Sequence, residues 1–117
     1  PNTVYTLTQN VSSQGTCFNI AAENVTLDCN GYWINYSTDG GDNERGIYSN
    51  QFNTTIKNCN IVDGNEAYES DSREGIYLYA DNSTLFNNSI TTNHTAGIYL
   101  PDGSDFNNLT KNNVCRS

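Results

Sequence analysis

The chain has 117 residues, which is about one domain, and its 13 acidic and five basic side chains give a net charge of −8. Five scattered Lys and Arg residues cannot form a surface that follows phosphates, so we exclude nucleic acid as a partner. No apolar run reaches the roughly 18 residues of a membrane-spanning helix. The chain starts at Pro1 without a leader pattern, so we expect that a leader was removed or is not included in this sequence.

The first predicted elements are short strands. Residues 3–7 alternate, with Val4 and Leu7 as the candidates to face inward, and residues 1–15 are predicted to form an N-terminal strand or cap. A degenerate repeat follows, from residues 16–18 to residues 25–34. Helical patterning is absent, because apolar residues do not recur every three and four positions and Asn, Gly and Thr are poor helix formers.

Three clearer repeats come next, each opened by the tripeptide Gly-Ile-Tyr, at residues 46–48, 75–77 and 97–99. Each tripeptide is followed by a block in which two aliphatic residues flank an Asn-rich turn. The isoleucine of the tripeptide lies 9, 9 and 11 residues before the first aliphatic residue of its block. Repeats of this length are typical of solenoids. We predict one domain over residues 1–117, with coils at 16–45, 46–74, 75–96 and 97–117.

Strands this short bury a face only if each coil stacks on the next, about 4.8 Å away. Stacking predicts inward ladders of aliphatic side chains, with an ordinary β-sandwich as the alternative fold. The expected ladders are Ile47/Ile76/Ile98, Ile56/Leu85/Leu109 and Ile34/Ile61/Ile90/Val114, with an amide ladder of Asn58, Asn88 and Asn112 at a corner.

Residues 5–11, 15–20 and 24–31 resemble the opening of right-handed parallel β-helix proteins, which are abundant among surface proteins of archaea and some bacteria. The resemblance covers nearly the whole chain and implies an all-β, right-handed parallel β-helix (β-solenoid) of about four coils. Relatives include polysaccharide lyases and hydrolases, adhesins, surface-layer components and a periplasmic copper-binding family. The resemblance therefore implies a fold and leaves the function open.

Eight of the twenty asparagines lie in Asn-x-Ser/Thr sequons, where composition alone would give about four. The excess predicts an extracellular, N-glycosylated surface, although Asn- and Thr-rich turns also produce sequons by accident. Asn24, Asn53 and Asn82 are favoured, because each lies on the outer turn just before a predicted strand. The sequon asparagines are Asn10, Asn24, Asn35, Asn53, Asn82, Asn87, Asn93 and Asn108.

The four cysteines leave two pairings open. Cys29 and Cys59 occupy nearly equivalent turns of successive coils, so a disulfide between them is favoured. The alternative pairs Cys17 with Cys29 inside the first coil and places Cys59 near a folded-back tail. Cys17 and Cys115 would be about 14 Å apart along the axis, too far for a bond within one chain.

Two acidic insertions precede the first two Gly-Ile-Tyr repeats and are expected to emerge at one corner, together with Arg45 and Arg73. A carboxylate cluster there would suit a lyase or hydrolase, but solvated loops with local ion pairs are the simpler interpretation, so we predict no enzyme and no catalytic residue.

No cofactor is expected. Calcium is the one metal worth considering, with weak candidate ligands in Asp39, Asp42, Glu44, Asp63 and Glu66, because His94 is the single histidine and copper needs softer ligands.

Tyr48, Tyr77 and Tyr99 each follow an inward isoleucine, so alternation turns them outward. Such a strip could stack on sugars, on the chain's own glycans or on a neighbouring chain. The alternative is that tyrosine simply suits an exposed strand face.

We expect a structural, extracellular, glycosylated β-solenoid at the cell surface. Open solenoid ends carry unpaired backbone groups, which favours head-to-tail self-assembly into a filament or surface layer. The expected partners are other copies of the chain and covalent N-glycans, without a membrane span. The alternatives are a carbohydrate-binding or carbohydrate-cleaving module of a larger surface protein, and a fragment whose neighbouring coils cap both ends.

Overall fold

The computed structural model describes residues 3–38, 44–64, 74–92 and 97–116. Within those ranges the chain forms fourteen short strands, and no helix there has the length and hydrophobicity needed to cross a membrane. The strands follow in chain order as β1 (Thr3–Thr6), β2 (Val11–Ser12), β3 (Phe18–Ile20), β4 (Val25–Asp28), β5 (Trp33–Tyr36), β6 (Ile47–Ser49), β7 (Thr55–Lys57), β8 (Asn60–Asp63), β9 (Ile76–Leu78), β10 (Thr84–Phe86), β11 (Ser89–Thr92), β12 (Ile98–Tyr99), β13 (Asn108–Thr110) and β14 (Asn113–Arg116).

The strands stack into three parallel sheets, so the predicted β-solenoid is confirmed. Sheet A contains β1, β4, β7, β10 and β13, sheet B contains β2, β5, β8, β11 and β14, and sheet C contains β3, β6, β9 and β12. The described strands make four coils of three strands and two strands of a fifth, slightly more than the four coils predicted. Residues 1–15 carry β1 and β2, which belong to the first coil.

The core is a set of aliphatic ladders inside the three sheets. The strand registers align the isoleucines, leucines and valine of all three predicted ladders, and their members in the middle coils are fully buried. Each strand is short, so it cannot bury its inward side chains alone. These side chains are shielded from water because the neighbouring coils cover them.

Two predictions about the interior are wrong by one position. Val4 aligns with Thr26 on the outer face, and Tyr5 aligns with the buried Leu27. β1 pairs with β4 from Thr3 onwards. A shift of one residue in this pairing would exchange the inward and outward faces of β1.

The predicted amide ladder is displaced in the same way at Asn58, which lies on the outer side of its corner. Its Oδ1 accepts a hydrogen bond from Nδ2 of Asn87, 2.9 Å away. The inward ladder contains Asn88 and Asn112, and the buried Cys59 occupies the equivalent inward place in the coil before them.

The corners between sheets depend on left-handed backbone, which asparagine tolerates better than most residues. One corner column begins with Asn24, Asn53 and Asn82, with φ values of 60°, 59° and 54°. It ends with Phe106, at φ 58°. A bulky residue in this conformation is unusual.

The glycine of each Gly-Ile-Tyr repeat lies where two coils approach each other closely. A Cβ atom on Gly75 would lie 2.5 Å from Cγ2 of Ile90 and 2.9 Å from the carbonyl oxygen of Gly97. Only glycine fits there without a shift of the backbone, which explains why the tripeptide recurs as the coil marker.

Candidate functional site

The outer face of sheet C carries a column of tyrosine side chains. The ring centres of Tyr48 and Tyr77 are 5.3 Å apart, and those of Tyr77 and Tyr99 are 5.2 Å apart. The rings are tilted and edge-on, an arrangement that aromatic pairs favour. The sequence pattern therefore placed all three residues correctly on one outward strip, and Tyr79 adds an exposed fourth ring directly after the strand that holds Tyr77.

The side chain of Arg45 packs against the tyrosine column. Its guanidinium carbon lies 4.4 Å from the centre of the Tyr77 ring, and its Nε lies 3.0 Å from Oε1 of Glu74. The side chain of Glu74 is almost completely buried, so this ion pair is largely shielded from water. The pair also links two successive coils. A groove of about 360 Å³ lies beside it, lined by Thr16, Asn19, Arg45, Tyr48 and Tyr77.

Two of the candidate calcium ligands, Glu44 and Asp63, lie among the described residues. Ser37 donates its hydroxyl hydrogen to Oε1 of Glu44, 2.7 Å away, and Asp63 is buried. Among residues 3–38, 44–64, 74–92 and 97–116, no three His, Cys, Asp or Glu side chains are grouped as metal ligands. The candidates that lie outside the described residues are Asp39, Asp42, Glu66, Arg73 and His94.

The sequon asparagines differ in their surroundings. Nδ2 of Asn53 donates to Oδ1 of Asn24, 2.8 Å away, so neighbouring members of the corner column contact each other. Asn53 is exposed and Asn82 is at an exposed corner position, whereas Oδ1 of Asn35 is buried.

Three further sequon asparagines are exposed and hydrogen-bonded. Oδ1 of Asn10 accepts from the backbone N–H of Trp33, and Oδ1 of Asn108 accepts from the Thr110 hydroxyl. Asn87 donates to Asn58 of the preceding coil, as described above. Asn93 lies outside the described residues.

Both ends of the solenoid are open in the described part of the chain. At the first coil the interior opens into a mainly apolar cavity of about 540 Å³, whose lining includes Tyr5, Leu7, Phe18, Ile20, Val25 and Leu27. At the last coil, Leu109 and Val114 stand on the inward ladders but are exposed, because no described strand covers them. The two ends are therefore apolar rings bordered by strand edges.

The parallel coils and their inward ladders agree with the comparison of the sequence with known families. Residues 4–117 match the family described as the right-handed β-helix region. The chain belongs to this family. No curated protein and no solved structure matches it. Right-handed β-helices support different activities, so the function of this one depends on its surfaces.

A polar groove of about 460 Å³ at the corner between sheets A and B of the β-helix was not predicted from the sequence. Its formation depends on outward residues from four coils, so the only signal in the sequence is the recurrence of Asn at the turns. The lining includes Asn30, Asn58, Asn60, Asn87, Lys111 and Asn113.

The cysteines of the β-helix fall into three environments. Cys29 and Cys59 form a disulfide across successive coils, with their Cα atoms 4.7 Å apart, which is the pairing favoured from the sequence. Cys17 is a half-buried thiol, and burial raises its pKa to about 11. Cys115 is an exposed thiol on the last strand. The disulfide is compatible with an oxidising environment such as the cell exterior.

Proposed function

We propose that this β-helix is a structural subunit at the cell exterior, N-glycosylated on its sides and assembled head-to-tail with other copies, and that it is not an enzyme. The observation that carries the proposal is the pair of open, apolar ends. Edge strands that remain unpaired are templates for other strands, and exposed apolar residues favour contacts that remove them from water.

The polarity of the strands selects the direction of assembly. Every described strand pairing in the molecule is parallel. Contact between the first coil of one copy and the last coil of another continues this pattern, whereas contact between two identical ends would need antiparallel pairing. A head-to-tail contact does not close on itself when it repeats along an axis, so it produces a filament.

Glycans on the sides would leave the ends as the main bare surfaces. The corner residues Asn53 and Asn82 are consecutive in one column, so glycans there would lie in a row along the axis. We expect Asn35 to be a poorer glycosylation site than these two, because it is half-buried within β5 whereas Asn53 and Asn82 are exposed.

The assembly test uses two neighbouring residues of β1. Val4 and Tyr5 are similarly exposed, at 63% and 58%, but only Tyr5 belongs to an inward ladder. We expect Tyr5→Asp to abolish polymers seen by light scattering and electron microscopy, and Val4→Asp to leave them. Native protein that stays monomeric at high concentration would contradict the assembly proposal.

Glycosylation is tested by the intact mass of native material. We expect a mass well above the bare 12.9 kDa, lowered in steps by Asn53→Gln and Asn82→Gln but not by Asn35→Gln. A native mass at the bare value would contradict this part of the proposal.

The tyrosine column supports a second candidate function, a carbohydrate-binding module. Aromatic rings pack well against the apolar faces of sugars, and this column offers three of them beside the Arg45 groove. If this function operates, Tyr99→Ala should reduce retention on an array of polysaccharides, whereas Phe86→Ala, on the outer face of sheet A, should not. Absence of retention by the unaltered protein would remove this candidate.

A further inference from the structure

A groove of about 360 Å³ lies on the turn that leads from sheet C into sheet A, beside the corner column of asparagines. Small-molecule sites usually have volumes of about 300–1,000 Å³, so the groove has the size of a site for one sugar ring. Two of its walls are aromatic, because Phe52 is 44% exposed and Tyr79 is 49% exposed. The lining consists of Asn50, Phe52, Tyr79, Ala80, Asp81 and Gly103.

The groove adjoins the sequon of Asn82, because Asp81 lines the groove and directly precedes this asparagine. Asn82 is exposed, and its side chain makes no hydrogen bond to another described residue. The side chain of Asn53 differs, because its Nδ2 donates to Oδ1 of Asn24 and is thereby held towards the preceding coil. Of these corner asparagines, Asn82 therefore has the amide group that can carry a sugar into the groove.

We propose that the first sugar of an N-glycan on Asn82 occupies this groove and packs against the rings of Phe52 and Tyr79. The inference rests on the proposed glycosylation and adds a binding site for the glycan on the chain's own surface. When the glycan is attached, a bond forms between Nδ2 of Asn82 and the anomeric carbon of the sugar. The bond from that carbon to the phosphate of an activated glycosyl donor breaks, and Nδ2 loses one proton to solvent and keeps one N–H.

The two aromatic walls come from successive coils. Phe52 directly precedes the corner residue Asn53, and Tyr79 lies three residues before the next corner residue, Asn82. The backbone N–H of Tyr79 donates to the carbonyl oxygen of Ser49, 2.9 Å away, which fixes Tyr79 against the coil that holds Phe52. A sugar between the rings places its C–H groups against them and removes exposed aromatic surface from water.

The remaining lining leaves room for the sugar and offers it a polar partner. Oδ1 of Asp81 accepts the backbone N–H of Asp105, 2.7 Å away, which fixes a carboxylate beside the groove as an acceptor for sugar hydroxyls. Ala80 has a short side chain, and Gly103 has none. A Cβ atom on Gly103 would lie 3.4 Å from Cε1 of Tyr79, so the glycine keeps this edge of the groove open.

The experiment is a double-mutant cycle of Tyr79→Ala and Asn82→Gln, made on protein from a host that glycosylates it. We expect the glycan on Asn82 to raise the Tm by about 4 °C, measured against Asn82→Gln, since this is the shift expected for one aromatic contact in a domain of this size. In the Tyr79→Ala background, Asn82→Gln should leave the Tm unchanged. Protein from a host without glycosylation should show no effect of Asn82→Gln in either background.

Trp33→Ala is the matched control for the aromatic variant. Trp33 is also 49% exposed, but it lies on the outer face of sheet B. The contribution of the Asn82 glycan to the Tm should therefore persist in the Trp33→Ala background.

A second measurement needs no aromatic variant. In NMR spectra of the glycosylated protein, ring protons of the sugar on Asn82 should be shifted to high field, because protons above an aromatic ring are shielded. They should also show nuclear Overhauser contacts to the ring protons of Phe52 and Tyr79. The sugar signals are assigned by their loss in Asn82→Gln.

The outcomes separate the two proposals. A glycan on Asn82 whose effect on the Tm survives Tyr79→Ala, or whose sugar protons lack these contacts, would overturn the packing and leave the glycosylation standing. Peptide mass spectrometry that finds glycans on other sequons and none on Asn82 would do the same. A native mass at the bare 12.9 kDa would overturn both.

Discussion

Nδ2 of Asn88 donates a hydrogen bond to Oδ1 of Asn112 in the next coil, 3.0 Å away. The same amide group donates to the carbonyl oxygen of Ile56, and its Oδ1 accepts from the backbone N–H of Cys59. Asn88 is fully buried, so one side chain satisfies polar groups of three coils inside a corner that water cannot reach.

Asn88→Ala should therefore lower the free energy of unfolding by about 3 kcal/mol, because it leaves buried donors and acceptors without partners. Urea denaturation of unglycosylated protein measures the change. Asn87→Gly is the matched control, because it alters the adjacent exposed residue of the same turn and glycine accepts the φ of 57°. Equal losses in both variants would contradict the role of the buried amide.

Reduction of the disulfide between Cys29 and Cys59 should destabilise the chain by about 3–4 kcal/mol, since the bond closes a loop over a sequence separation of 30 residues. The double variant Cys29→Ala, Cys59→Ala should show a similar loss in thermal unfolding. Cys115→Ser, which removes an exposed thiol, should leave the midpoint unchanged. A midpoint that does not respond to reductant would contradict the expectation.

Phe106→Asn should stabilise the protein by about 1 kcal/mol, because asparagine tolerates left-handed backbone better than phenylalanine does. Phe106 is 87% exposed, so its ring buries little, and it has a φ of 58° at a corner where the equivalent residues of three earlier coils are asparagines. Phe106→Ala keeps the unfavourable backbone and should give no gain, which separates backbone strain from loss of the aromatic ring. Thermal unfolding of the two variants provides the comparison.

The two free thiols should react at different rates. At pH 8, iodoacetamide should modify the exposed Cys115 well before Cys17, because burial raises the pKa of Cys17 to about 11 and the thiolate is the reactive form. Peptide mass spectrometry after timed labelling provides the rates, and equal rates at pH 8 would refute the assignment.

The raised pKa of Cys17 also makes the stability of the fold depend on pH, because folding favours the protonated thiol. This contribution to stability is fully present below the ordinary thiol pKa of 9.0 and is lost as the pH rises towards 11. Cys17→Ser should therefore flatten the decline in the unfolding midpoint between pH 9 and pH 11.

The solenoid and its aliphatic ladders follow from the amino-acid pattern alone. The recurring Gly-Ile-Tyr tripeptide marks one position of the coil, and the spacing to the next aliphatic residue is enough to align Ile56 with Leu85. The packing can be predicted from such a pattern because each coil contacts only its neighbours, so the repeat in the sequence specifies which residues align. The pairing of Cys29 with Cys59 was favoured for the same reason.

Other features depend on a shift of one residue or on surfaces shared by several coils, and these become visible only in the folded chain. Val4 and Asn58 were assigned to the wrong face, because a turn that is one residue longer or shorter exchanges inward and outward positions. The bonding of Arg45 to Glu74 and its position over Tyr77 required neighbouring coils in place.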